Sequence, residues 1–187
     1  DCKNFSKEEF TEMTNDVLLF LKRAGLDAIF KEKESGRVSA FRRSFYFPEL
    51  LYSLVLSGHR EERFLVKIIC EDQGFDYKPA NAVIEGCGFY FNFPVPHESV
   101  LCAMKIAAML SRAKGRDFYD VIFLLKRTKP DFSYLKSKCG ISNSAELKAA
   151  VKNLLNKTDL EKKSKDFEHL LFEKKNSARI FDILRAV

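Results

Sequence analysis

The hydrophobic pattern of this chain changes period once, near Glu98, and that change limits the fold more than any other feature. Before it, apolar residues come in strand-length pieces. Leu26, Ala28 and Phe30 alternate with polar neighbours, Glu34-Ser35-Gly36 supplies turn chemistry, and Val38 to Tyr46 resumes as a strand, so a hairpin is expected. Phe64 to Cys70 is an apolar run broken by one Lys, which predicts a central strand buried on both faces. Short strands are expected at Ala80 to Glu85 and Phe89 to Phe93, separated by Gly86 and Gly88. After Glu98 the spacing becomes helical, over Glu98 to Arg112, Asp117 to Arg127, Ser144 to Leu155, Asp159 to Lys174 and Ser177 to Ala186. Strands followed by helices give an α+β class rather than an alternating one.

Two helices interrupt the first half. Ser6 and Glu9 have capping-box spacing, and Phe10, Met13, Val17, Phe20 and Leu21 recur on one face until Gly25 stops the run. Phe47-Pro48-Glu49 opens a short helix through Leu56, with Gly58 and His59 ending it. Arg127 to Pro130 is the candidate seam, dividing a core over 1–128 from a C-terminal helical region over 129–187.

A chain of 187 residues with 46% hydrophobic and 31% charged residues has the balance of a globular domain with one sizeable core. No run approaches the roughly 20 apolar residues needed to span a bilayer, so no membrane partner and a cytoplasmic location are expected. The five Cys (Cys2, Cys70, Cys87, Cys102, Cys139) include no pair at zinc-site spacing and read as reduced, mostly buried thiols. The net charge of +6 favours polyanions such as RNA or nucleotide phosphates.

The chemistry concentrates between Lys105 and Asp120. Lys105 and Arg112 are seven apart and project from one helical face, and Gly115 permits a tight turn into the next helix. Asp117 then lies in a first turn, where the helix dipole favours an anion, and Asp120 follows on the same face. Spacing alone also allows a plain alternative, in which Arg116 and Asp120 form an exposed i, i+4 pair and Asp117 caps a helix. His59, His97 and His169 share no spacing and read as surface or capping groups; Cys70 reads as core, and the charged stretches after Glu161 and Glu173 as solvated helix faces.

The segment of a Lys-led helix, Arg112, a Gly-containing turn and Arg116-Asp117-x-x-Asp120 resembles the C-terminal signature of AbiEii-like nucleotidyltransferases. Ala40-Phe-Arg-Arg to Pro48-Glu-Leu-Leu, Glu62-Arg-Phe-Leu-Val-Lys67-Ile and Phe93-Pro-Val-Pro resemble further family segments in the same order, covering residues 17 to 128. The resemblance implies a nucleotidyltransferase-like mixed sheet followed by a helical region, and Mg²⁺-assisted transfer of a nucleotide from an NTP to an acceptor. Some members are toxins of abortive-infection toxin–antitoxin systems, and some modify the 3′ end of tRNA. Carried over by position, Lys105 and Asp117 are the expected catalytic residues and Lys67, Arg112, Arg116 and Asp120 the expected nucleotide-binding ones. An antitoxin protein and a tRNA or other RNA are the expected partners.

Two departures bear on activity. The family's first motif, Gly-Gly or Gly-Ser followed by Asp-x-Asp, does not occur in the chain. The second, Lys, an apolar residue and then a carboxylate, reads Lys67-Ile68-Ile69, leaving Glu71 as the nearby substitute that strand alternation turns to the same side. The chain is therefore expected to be either the part downstream of the first motif or a divergent member, incomplete or inactive as a transferase by itself. The alternative is a non-catalytic module of the same fold that binds RNA or an antitoxin.

Overall fold

The computed structural model describes residues 4–31 and 40–187. It divides into two compact units, Asp1–Gly74 and Phe75–Val187.

In the first unit, helix α1 (Lys7–Arg23) begins at the expected capping box: Ser6 Oγ accepts from the Glu9 N–H at 3.1 Å, and Glu9 Oε2 accepts from the Ser6 N–H at 2.7 Å. These two bonds satisfy donors that the first helical turn leaves open. Strands β1 (Ile29–Phe30), β2 (Phe41–Phe47) and β3 (Phe64–Cys70) form an antiparallel sheet in the order β1-β2-β3. Pairing of Ile29 with Tyr46 and of Phe30 with Phe45 bears out the hairpin partners; its turn residues, Glu34 to Gly36, lie outside the described residues, as do Val38 and Asp1. The core gathers Ala28, Phe45 and Phe47 against Val17, Leu18 and Leu21 of α1. Arg43 of β2 ties the helix down, donating from Nη1 to Thr11 O, Thr14 Oγ1 and Asn15 Oδ1 at 2.8–3.2 Å while its guanidinium sits 3.6 Å from the centre of the Phe30 ring. The short helix α2 (Leu50–Ser53) follows Pro48.

Two expectations change here. The run Phe64–Cys70 is not a central strand: β2 takes that place, and β3 has one neighbour among the described residues. Val66 and Ile68 pack on the core, while Leu65, Lys67 and Ile69 face solvent, with Ile69 55% exposed. The single Lys in the run marks that solvent face, because alternation places it with Leu65 and Ile69. Cys70 is buried and disulfide-bonded rather than a reduced thiol, whereas Cys87, Cys102 and Cys139 are free; Cys2 lies outside the described residues.

The second unit opens with an antiparallel hairpin of β4 (Ala80–Gly86) and β5 (Phe89–Val95), joined through Cys87 and Gly88, both at positive φ as a two-residue hairpin turn requires. Helices α3 (Glu98–Arg112), α4 (Gly115–Leu125), α5 (Phe132–Cys139), α6 (Ser144–Leu155), α7 (Leu160–Lys165) and α8 (Ile183–Ala186) follow, with 3-10 turns over Glu168–Leu170 and Lys174–Asp182. The α+β order is as expected, with its strands in two small antiparallel sheets. Val100, Cys102, Ala103, Ile106 and Met109 of α3 bury one helical face against Phe118, Val121 and Ile122 of α4 and Leu135, Leu147, Val151, Phe167, Ile180 and Ile183 of the later elements.

Because α3 and α4 share that core with everything after them, Arg127 to Pro130 is a turn inside this unit, and the division by compactness falls at Gly74 rather than near residue 128. Helix α5 was not anticipated, although Asp131 caps it through the Tyr134 N–H at 2.9 Å and Gly140 ends it at φ +70. The helix expected over Asp159 to Lys174 stops at Lys165, and the one expected over Ser177 to Ala186 is largely 3-10. Among the described residues no helix is long and apolar enough to cross a membrane.

Candidate functional site

Seven-residue spacing on α3 and three-residue spacing on α4 bring four of the expected residues into two ion pairs across the seam between these helices. Lys105 Nζ donates to Asp120 Oδ2 at 2.6 Å. Arg112 closes a two-bond fork on Asp117, with Nε to Oδ2 at 2.7 Å and Nη2 to Oδ1 at 2.6 Å. The plain alternative from spacing does not describe this arrangement, since the partner of Asp120 is Lys105 and not Arg116, which is exposed and carries no ion pair among the described residues.

The two pairs differ in access. The Asp117 side chain is 1% exposed and both of its oxygens are taken up by Arg112, whose side chain is 44% exposed. The hydrogen bonds to Asp117, and then its negative charge, raise the affinity of the Arg112 guanidinium for its proton above the ordinary value. The Lys105–Asp120 pair is more open, at 36% and 37%, so solvent and solutes reach both partners. An ion pair of that exposure is worth at most about 1 kcal/mol, so an anionic ligand can displace Asp120 from Lys105 at small cost.

The turn between the helices works differently from the sequence reading. The left-handed residue is Ala113, at φ +46, and not Gly115. Gly115 is needed for contact: a Cβ there would lie 1.9 Å from the Lys163 carbonyl oxygen and 2.7 Å from the Phe167 ring. Helix α7 therefore packs backbone to backbone on the start of α4, which fixes where Arg116 and Asp117 stand.

Lys67 and Glu71 belong to the first unit. Lys67 is exposed on β3, and Glu71 is exposed one residue past the end of that strand. No group of three or more His, Cys, Asp and Glu among the described residues is placed to hold a metal ion. Asp117 is saturated by Arg112 and Asp120 is held by Lys105, so the described residues do not fit a Mg²⁺ template of the clustered-carboxylate kind. The histidines are exposed, and His97 caps α3 through the Ser99 N–H. Lys126 and Arg179, which line a concavity beside α4, were not singled out in the sequence; the three-residue spacing of Arg179, Asp182 and Arg185 was the available signal.

A family model described as the nucleotidyl transferase AbiEii toxin, type IV TA system, matches residues 2–181. No curated protein and no solved structure matches the chain.

Proposed function

The chain belongs to the AbiEii family of nucleotidyl transferase toxins, and from that premise we propose that its α3–α4 face holds the triphosphate of an NTP whose nucleotide goes to the 3′ end of an RNA, with tRNA the first candidate. A type IV toxin–antitoxin family implies a nucleotide substrate and an antitoxin partner. The observation that carries the reading is the half-open Lys105–Asp120 pair beside the exposed Arg116 in the first turn of α4. Lys105 exchanges Asp120 for a phosphate oxygen and becomes the charged contact to the reacting group. Arg116 adds a second cation near a helix N-terminus, which itself favours an anion. Asp117 is too enclosed to touch substrate, so its role is positioning: it holds Arg112 and the α3–α4 seam in register.

Nucleotidyl transfer in this family uses a divalent metal, which supplies charge neutralisation and activation of the attacking hydroxyl. Ile69 stands where a carboxylate is expected, and the described residues do not cluster acidic groups. That observation favours a second reading, a binding module that keeps the cationic face without the chemistry. Incubating the purified chain with tRNA, Mg²⁺ and each radiolabelled NTP separates the two. No labelling above that of a Lys105→Ala variant is the outcome of the second reading, in which the nucleotide is held but not transferred. Robust labelling that depends on Lys105 would contradict the incomplete-template reading and establish the chain as a transferase by itself.

A further inference from the structure

The face of α4 turned away from Asp117 and Asp120 borders a cavity of about 300 Å³. A second, of about 190 Å³, shares Ile122, Lys126 and Arg179 with it, so the two form one groove along the helix. At 100° per residue, Ile122 and Lys126 fall about 120–180° from Asp117 and Asp120 while Phe123 lies about 60° from Asp120, so the groove starts beside the ion-paired seam and runs to the far side of the helix.

Its lining has two components. Ile122 and Leu125 of α4 and Ala186 of α8 give an apolar floor, while Tyr119 and Phe123 line the second cavity. Phe123 keeps 53% of its surface in solvent, with the Arg127 guanidinium 5.8 Å from its ring centre. Phe167 packs on the Tyr119 ring, with the two centres 5.6 Å apart. Around this floor stand Lys126, Arg179 and Arg185, all exposed and without an ion pair among the described residues, against one lining carboxylate, Asp182. The 3-10 geometry of Lys174–Asp182 sets Arg179 and Asp182 in line, one turn apart.

We propose that this groove binds a single-stranded polynucleotide, with a base against Phe123 and neighbouring phosphates on Lys126 and Arg179. The excess of cations selects an anion, and the apolar floor with a half-exposed ring selects one that also carries flat apolar faces. Single-stranded nucleic acid alternates those two features along its length, which is how sequence-tolerant grooves hold it. An acidic peptide satisfies the charge but not the exposed ring. The inference goes beyond the proposed function, because it concerns this groove and not the ion-paired seam, and does not require the chain to transfer anything.

The test is fluorescence anisotropy with a labelled 12-nucleotide RNA, a DNA of the same sequence and a labelled Glu-rich peptide, at two salt concentrations. The proteins compared are the full chain, Phe123→Ala, the double variant Lys126→Ala/Arg179→Ala, and Lys148→Ala/Lys152→Ala on the exposed side of α6 as a control. All substituted positions are exposed, and matched melting curves confirm folding. The double variant should lose about tenfold or more in oligonucleotide affinity and bind with a shallower salt dependence. Phe123→Ala should lose about fivefold or more, and the α6 control should change little. RNA and DNA binding alike indicates recognition through base and phosphate, and RNA alone adds a ribose contact. Equal affinity of groove variants and control overturns the proposal, as does a chain that binds the peptide but no oligonucleotide. NTP titration of the same variants keeps the two readings apart, since the groove substitutions should leave NTP affinity unchanged.

Discussion

Replacing Arg112 with Ala should destabilise the helical unit more than any other single exposed-cation substitution in this chain. The carboxylate it leaves behind, on Asp117, is 1% exposed and has lost both of its charged hydrogen bonds, at 2.6 and 2.7 Å. Removing one member of a buried pair costs about 3–5 kcal/mol when water cannot enter. Arg112 is itself 44% exposed, so its removal opens a path for water and lowers the expected cost to about 2–3 kcal/mol. At about 3–5 °C per kcal/mol for a unit of this size, the melting temperature should fall by about 6–15 °C. Asp117→Ala removes the same bonds but leaves the guanidinium free to reach solvent, so it should cost less. The double variant Arg112→Ala/Asp117→Ala carries no orphaned charge and should be more stable than the sum of the single changes by about 1.5–3 kcal/mol. Urea unfolding followed by far-ultraviolet circular dichroism measures all three. Additivity within about 0.5 kcal/mol would refute the claim that the pair acts as one buried unit.

Gly115→Ala should be strongly destabilising, by about 2–3 kcal/mol or more, since its Cβ would meet the Lys163 carbonyl oxygen at 1.9 Å and neither backbone can yield without separating α4 from α7; thermal melting checks this, and a shift under about 2 °C contradicts the packing described. Burial pushes the Cys102 thiol up to about 11, and raises Cys139 for the same reason, so at pH 8 iodoacetamide should label the exposed Cys87 rapidly and Cys102 only on unfolding. A raised thiol value means the reactive thiolate is withheld until the pH approaches it, and peptide mass spectrometry after timed alkylation reads the order directly.

The elements that local chemistry specifies were legible in the sequence. Ser6 and Glu9 announced α1, helical spacing over Glu98 to Arg112 announced α3, and Gly88 announced the β4–β5 turn. The elements set by tertiary environment were not. Helix α5 is too short for a helical period to emerge, and the Lys174–Asp182 segment has a three-residue turn that a 3.6-residue template reads poorly. The run at Phe64–Cys70 looked doubly buried because residue hydrophobicity does not say which strand has a second neighbour. At the site, one-face spacing identified Lys105, Arg112, Asp117 and Asp120 as a group. Which carboxylate meets which cation depends on how α3 crosses α4, and spacing along each helix does not carry that crossing. Arg179 and Arg185 escaped notice because α4 supplies the other wall of their groove and lies more than fifty residues earlier in the chain.

The central claim, that the α3–α4 face holds a nucleotide triphosphate, is tested most directly by titrating fluorescently labelled NTP into the full chain, into Lys105→Ala/Arg116→Ala, and into Lys148→Ala/Lys152→Ala, at low and moderate salt. Lys105 and Arg116 supply the reachable charges of the site, so their joint loss should weaken binding by about 1–3 kcal/mol, or roughly 5- to 150-fold, and flatten its salt dependence. The α6 pair is exposed and remote in sequence from the motif, and its loss should change affinity less than twofold. Equal weakening by both pairs would mean that the nucleotide follows the net charge of +6 and not a site, and would contradict the account.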